Sequence, residues 1–252
     1  MVEVFRAKTI GGVPHGFLGR GGGVSVGEVA GLNVGLGAGD DDAAVAENRA
    51  RAVDAVLPGA ALATVYQVHS PLCVTATKPW PDVLSPHADA LVTDTPGLLL
   101  GIVTADCAPV LLADLEAGVV GAAHAGWKGA LGGVTDAAIA AMETLGARRD
   151  RIAAAVGPCI AQPSYEVDAG FETRFCDEDP ANERFFAPGA KGHSQFDLSG
   201  YVASRLAMAG VSQIEQLGLD TYAAQDSFFS FRRAIHCKQA SYGRQISLIG
   251  LG

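Results

Sequence analysis

Apolar positions in this chain follow two rhythms, and the places where one gives way to the other lay out the elements. From Ala61 to Val68 they alternate: Leu62, Thr64, Tyr66 and Val68 fall on one face, Ala63, Val65 and Gln67 on the other. That pattern predicts a strand ending at His69-Ser70-Pro71. Leu98 to Ala105 is an apolar run that stops at Asp106-Cys107 and resumes from Pro109 to Ala113, and Val119 to Ala123 is a second run that stops at His124. The stretch predicts two buried strands folded back on each other at Glu116-Ala117-Gly118, with polar chemistry at their ends. Ile152 to Val156 reads as a further buried strand, YGRQISLIGL at 242–251 as the last strand, and residues 1–18 as an edge strand. Helical spacing takes over in three places. Asp40-Asp41-Asp42 opens the first helix with acids at the positive end of its dipole, and Pro58-Gly59 ends it. Gly133 to Leu145 and Phe196 to Ala209 are the others, closed by Gly146 and Gly210. Residues 176–195 are polar and turn-rich and predict a surface excursion.

Strands mixed with helices over 252 residues predict an α/β (α+β) fold in one domain spanning 1–252, long enough to bury a large core without staples. Composition changes this picture little: 49% hydrophobic and 18% charged residues describe an ordinary globular protein. Charge narrows function more. A formal net charge of −9 argues against a nucleic-acid groove, which needs concentrated Lys and Arg, and leaves a small substrate as the expectation. Five cysteines, an odd number without close pairing, predict reduced thiols and a cytoplasmic protein. The N-terminal segment has neither the basic start nor the apolar core of a signal peptide, and no window is long enough to span a membrane.

Two glycine-rich loops, at 19–23 and 31–40, lack the third glycine of a dinucleotide fingerprint; they read as flexible turns or as amide-rich loops able to wrap an anion or a sugar. The sharper signal lies at the ends of the apolar runs. His69, Cys107 and His124 are the donor types zinc takes, and three protein ligands with one open position define a catalytic site rather than a structural one. The same residues permit a nucleophilic reading, Cys107 as thiolate with a histidine taking its proton. Asp106 reads either as a partner orienting a histidine or as a structural cap. Arg49, on the first helix, reads locally as a solvated charge, and His87, between proline and polar residues, as a surface histidine. In Ala125-Gly126-Trp127-Lys128-Gly129 the two glycines permit close approach to the backbone.

The combination of QVHS at 67–70, ADCAPVLLAD at 105–114, AAHAGWKG at 122–129, GPCI at 157–160 and FFSFRR at 228–233 with GRQ at 243–245 resembles the laccase-domain or YfiH family. The similarity runs from LNVGLGAGDD and AENR to the final strand; Asp220 stands where many members carry cysteine. The resemblance implies a compact domain with β-sheets sandwiched between helical layers (α/β/β/α). It implies a zinc, or copper, site at His69, Cys107 and His124, these same residues being catalytic. It also implies phosphorolysis of adenosine, inosine, guanosine and methylthioadenosine, with hydrolytic deamination of adenosine. Arg49, in the family's ENR segment, matches a position near the substrate and is the candidate for phosphate, because a guanidinium fork suits an array of oxygens.

Three other readings compete. Multicopper polyphenol oxidation needs many histidines, commonly in H-x-H pairs, and this chain has six histidines and no such pair. A cysteine-dependent amidase acting on peptidoglycan precursors would use the Cys107 thiolate. A non-catalytic module tied by zinc would need a fourth donor closing the site, with Cys159 or His236 the candidates.

Overall fold

The computed structural model describes residues 1–252. The chain opens with β1 (Val4–Phe5) and β2 (His15–Leu18), passes through helix α1 (Asp42–Val56), and continues in β3 (Ala61–Thr64), β4 (Cys73–Thr75) and β5 (Ala90–Thr93). The central stretch supplies β6 (Leu98–Thr104), β7 (Ala108–Asp114) and β8 (Val119–Ala125), then α2 (Trp127–Gly132), α3 (Val134–Thr144) and β9 (Ala153–Val156). The remainder comprises β10 (Glu166–Asp168), α4 (Ala169–Glu178), β11 (Phe186–Pro188), β12 (His193–Phe196), α5 (Leu198–Met208), β13 (Gln213–Gln216), α6 (Phe231–His236) and β14 (Gln245–Gly250). No helix is long and apolar enough to cross a membrane.

The strands assemble into a five-stranded sheet, β1-β2-β14-β6-β3, a six-stranded sheet, β13-β9-β7-β8-β5-β4, and a small sheet, β10-β12-β11. Side-chain alternation assigns the layers. On β6, Leu98, Leu100 and Ile102 join Leu111, Val120 and Ala122 of the second sheet in a core between the sheets. Leu99, on the opposite face, packs with Ala52 and Val53 of α1. On the outer face of the second sheet, Val110, Leu112 and Ala123 meet Ile139 and Met142 of α3 and Val202 and Leu206 of α5. Helix, sheet, sheet and helix follow one another, as the family resemblance implies. Each large apolar side chain buried in these layers contributes roughly 1.5–3 kcal/mol of transfer free energy.

The central stretch holds three strands rather than two. Leu98–Thr104 belongs to one sheet and Ala108–Asp114 to the other, and the chain crosses between them at Ala105-Asp106-Cys107. Asp106 makes the crossing with φ of 82°, a left-handed conformation uncommon outside glycine. Both strands are buried on both faces, so neither shows the polar alternation that would have marked the boundary.

Other boundaries shift for identifiable reasons. The strand expected to reach Val68 ends at Thr64, because Gln67 spends its side-chain amide on the backbone of Val103, donating to its carbonyl at 2.7 Å and accepting from its N–H at 2.8 Å. The expected N-terminal edge strand is a two-residue edge followed by β2, which lies inside the sheet between β1 and β14. Phe196 ends a strand instead of opening a helix; α5 begins after Asp197, whose carboxylate accepts from the Gly200 amide at 2.9 Å. Residues 176–195 are more than a surface excursion, since Phe185 is buried against Tyr201 and Phe186 stacks on Phe196. The first helix begins as expected, with Asp41 accepting from Ala43 N–H at 3.0 Å. Asp40 instead accepts from Ser25 and Asn33 and ties the glycine-rich loops together.

Candidate active site

Strand register lines up the site. Pro109 on β7 pairs with His124 on β8, and Ala90 on β5 pairs with Ala123. Two residues before Pro109, Cys107 stands beside the end of β8, and one residue before Ala90, Asp89 sits next to His124, whose N–H donates to the Asp89 carbonyl at 2.7 Å. His69 reaches the same place from the loop before β4, held at φ of 60°. The donor atoms of His69, Cys107 and His124 all lie within 4.8 Å of one another, with Cys107 Sγ 3.9 Å from His69 Nε2.

Asp89, fully buried, organises this cluster. It accepts from His124 Nδ1 at 2.8 Å, from the N–H groups of Val68, His69 and Ser70 at 3.2, 2.9 and 2.6 Å, and from the Ser70 hydroxyl at 2.9 Å. One carboxylate thereby bends the His69 loop into its left-handed turn and fixes the His124 tautomer, leaving Nε2 of His124 available as a ligand. Burial opposes its charge, but the His124 hydrogen bond and charge, with the Ser70 donors, outweigh burial and hold its pKa down to about 2.

Cys107 and His124 titrate as a coupled pair. Burial alone would raise the thiol, yet the positive charge of His124 and hydrogen bonds from His124 and His69 bring it well below the usual thiol range. Burial likewise works against a charged His124, while the Cys107 thiolate and Asp89 push its pKa up. In metal-free protein, alkylation of Cys107 by iodoacetamide, followed on its own peptide by mass spectrometry, will therefore titrate clearly below the ordinary thiol value of about 8.5. Cys73, which burial pushes up to about 12, should stay unreactive across the same range. A Cys107 midpoint in the ordinary range would show that the histidines do not stabilise its thiolate.

The cluster opens into a pocket of about 450 Å³, whose walls include Arg49, Gln67, Thr104, Tyr242 and Arg244 besides the three donors. Arg49 is placed in this wall rather than in solvent: its guanidinium bonds Asp82 at 2.9 Å and its Nε donates to the Val34 carbonyl at 3.0 Å. Asp106 serves as a structural tie and not as a histidine partner. Its carboxylate accepts from Thr221 and Ser230 hydroxyls at 2.7 and 3.0 Å and from Arg232 N–H at 2.6 Å, anchoring the start of α6. Asp220 likewise ties loops, accepting from the Ser164 hydroxyl at 2.6 Å and the Tyr222 amide at 2.9 Å. His87 is exposed and stacks on Tyr66. Cys159 and His236 stand outside the three-donor group, and His236 pairs with the Tyr222 hydroxyl at 2.9 Å instead.

Sequence reasoning missed Asp89, although a lone acid inside the apolar run Ala88-Asp89-Ala90-Leu91-Val92 signals a buried carboxylate in need of donors. It also missed Arg244, which carries no local signal, and saw in Gly126 only a permissive backbone. Gly126 matters for space: a Cβ there would lie 2.8 Å from His69 Cδ2 and 3.0 Å from Cys107 Sγ.

Comparisons with known proteins place the chain in a family. Residues 14–252 match the family described as multi-copper polyphenol oxidoreductase laccase. A Deinococcus radiodurans protein named purine nucleoside phosphorylase is 43% identical over 243 residues, covering 95% of this chain and 89% of its own. A Streptomyces griseus protein of the same name is 39% identical, covering 92% and 94%. Among solved structures, a Neisseria meningitidis protein superposes with a TM-score of 0.89 at 33% identity, covering 99% of this chain and 98% of that one. YlmD from Geobacillus stearothermophilus gives 0.85 at 29% identity, covering 97% and 94%. Fold, matched length and relatives together make this chain a member of the laccase-like family that includes YfiH.

Proposed function

We propose that this chain is a metal-dependent purine nucleoside phosphorylase, converting adenosine, inosine, guanosine or methylthioadenosine and phosphate into the free base and a ribose 1-phosphate, with hydrolytic deamination of adenosine as a second activity of the same pocket. The convergence of His69, Cys107 and His124 on one open pocket carries the reading, and relatives named purine nucleoside phosphorylase support it. The donor set fits zinc. Two imidazoles and a thiol already biased toward thiolate are borderline and soft ligands, and three of them leave a position open. Copper, which also takes two histidines and a cysteine, is the alternative ion for the same donors. Bound there, the ion supplies a fixed positive charge and Lewis acidity beside the reacting atoms.

The chain's own residues do the rest. In phosphorolysis an oxygen of hydrogen phosphate bonds to C1′ of the ribose as the bond from C1′ to the purine nitrogen breaks; the electron pair leaves with the base, which takes up the proton that the phosphate gives up. Arg49, paired with Asp82, stands in the pocket wall as a candidate contact for phosphate. Asp89 keeps the proton on His124 Nδ1, so the ring presents Nε2 in one orientation. The pocket, about 450 Å³, is large enough to admit a nucleoside beside the three donors. Five free cysteines fit a cytoplasmic setting for this activity.

One chromatographic experiment tests the proposal: zinc-loaded protein with adenosine, with and without phosphate. Adenine and ribose 1-phosphate appearing only with phosphate establish phosphorolysis, and inosine in either sample establishes deamination. Unchanged adenosine in both, repeated with inosine, guanosine and methylthioadenosine, would sink the reading. The nucleophilic alternative draws on the same activated thiol of Cys107. Hydrolysis of a peptidoglycan-precursor amide by wild type, lost in Cys107→Ser with metal content retained, would favour it.

A further inference from the structure

Two guanidinium groups line the pocket, and they stand in opposite electrostatic situations. Arg49 is already neutralised, paired with Asp82 at 2.9 Å and bonded to the Val34 carbonyl at 3.0 Å. A phosphate dianion arriving there would meet the Asp82 carboxylate, a like-charge approach that costs affinity. Arg244 has no carboxylate partner. Its contacts are the Tyr242 hydroxyl at 3.1 Å, a long one to the Leu36 carbonyl at 3.4 Å, and the face of the Tyr242 ring, 4.8 Å from the centroid.

The surroundings hold that cation in place. The Arg244 amide donates to Asn33 Oδ1 at 2.9 Å, and the Arg244 carbonyl accepts from Val34 at 3.1 Å, so its backbone is tied to the glycine-rich loop that runs past the pocket. Gly35 leaves room for the side chain: a Cβ there would lie 2.9 Å from Arg244 Nη1 and 3.0 Å from its Cδ. Next in the loop, Leu36 lines the pocket beside the guanidinium. An uncompensated guanidinium whose fork faces a pocket is the chemistry that binds a tetrahedral oxyanion. In a chain of net charge −9, a local uncompensated cation favours the approach of a dianion.

We infer that Arg244 is the principal phosphate-binding element of this pocket, and that Arg49 contributes at longer range while Asp82 holds it. The inference rests on the phosphorolysis reading for its biological meaning, though the anion site itself can be measured without turnover. Inorganic phosphate is titrated calorimetrically at constant ionic strength into zinc-loaded wild type, Arg244→Met, Arg244→Lys and Arg49→Met, with zinc stoichiometry and the thermal transition as folding controls. Methionine keeps much of the stem lying on Tyr242; lysine keeps the charge without the fork.

The expected result is a phosphate dissociation constant raised about ten- to a hundredfold in Arg244→Met, the range for losing a charge-assisted hydrogen-bonded contact, a smaller rise in Arg244→Lys, and a smaller rise still in Arg49→Met. In turnover the same order should appear in KM for phosphate more than in kcat. Absence of phosphate binding by wild type, or a loss in Arg49→Met equal to or greater than that in Arg244→Met, overturns the inference. Phosphate binding that depends on Arg244 in a protein that splits no nucleoside would leave the anion site standing and remove the phosphorylase reading instead.

Discussion

Asp89→Asn should cost this protein both its metal affinity and about 3 kcal/mol of stability, a larger loss than replacing a metal donor would bring to the metal-free fold. Every partner of the Asp89 carboxylate is a donor: three backbone N–H groups, the Ser70 hydroxyl and His124 Nδ1. Asparagine has nearly the same shape but turns one oxygen into an NH2 group, so whichever way it sits, a donor faces a donor in a fully buried place. The His69 turn then loses its tie and His124 its fixed tautomer, and metal affinity should fall by roughly ten- to a hundredfold. Urea denaturation of metal-free protein reads the first effect and zinc competition with a chelator the second. Cys107→Ser is the comparison, since it removes a donor and the thiolate partner of His124 without disturbing the tie; it should weaken zinc while lowering the metal-free transition less than Asp89→Asn does. The pH dependence has a definite sign. Asp89 is held at about 2 against an ordinary value of 3.8, so its contribution is complete above the higher figure and is lost as pH falls toward the lower one. Wild type should lose stability across that window more steeply than Asp89→Asn. Equal slopes, or an Asn variant that melts and binds zinc like wild type, would mean that Asp89 is not the organiser of the site.

That dependence on one acid explains what could be read from the chain alone and what could not. His69, Cys107 and His124 were legible because each closes an apolar run, and a polar group where a buried strand ends faces a site or solvent. The layer order was legible only through the family resemblance. Strands such as Leu98–Thr104 and Ala108–Asp114, buried on both faces, carry no alternation, and their membership of different sheets is decided by packing partners far away in sequence. Asp106 shows the same blindness from the other side. Its place beside Cys107 left a histidine partner and a structural cap equally open, and only the left-handed backbone decides for the structural role, turning the carboxylate toward Thr221 and Ser230, more than a hundred residues on. Asp89, by contrast, is twenty residues from the backbone it gathers and thirty-five from the ring it orients, and nothing local records either distance. The polar composition of 176–195 hid Phe185 and Phe186 in the same way, since a few aromatic anchors suffice to bury a segment whose other residues face water.

Gly126→Ala should separate the site from the fold more cleanly than any change to a donor. Gly126 has φ of −68° and ψ of 163°, which alanine adopts without strain, and it precedes α2, so the backbone has no reason to reject the methyl group. The methyl group meets the donors instead. Placed 2.8 Å from His69 Cδ2 and 3.0 Å from Cys107 Sγ, it forces both outward by several tenths of an ångström. A metal site tolerates roughly 0.2 Å of error in its ligand distances, so a displacement of this size should lower zinc affinity about a hundredfold and take the metal-dependent activities with it. The urea midpoint of the metal-free protein should stay close to wild type, because the moved groups are ends of side chains at the edge of a pocket and not parts of the packed layers. The measurement is zinc content after dialysis against a weak chelator, set beside the denaturation curve. If the alanine variant keeps its zinc, the three side chains do not close on one ion at this spot, and the metal assignment fails even though all three donors remain. If it loses zinc and unfolds together, the glycine is a packing requirement of the fold and says nothing about the metal. Loss of zinc with an intact transition is the result that assigns Gly126 its role, as the residue whose missing side chain lets a strand end, a loop and a helix start bring their donors to one point.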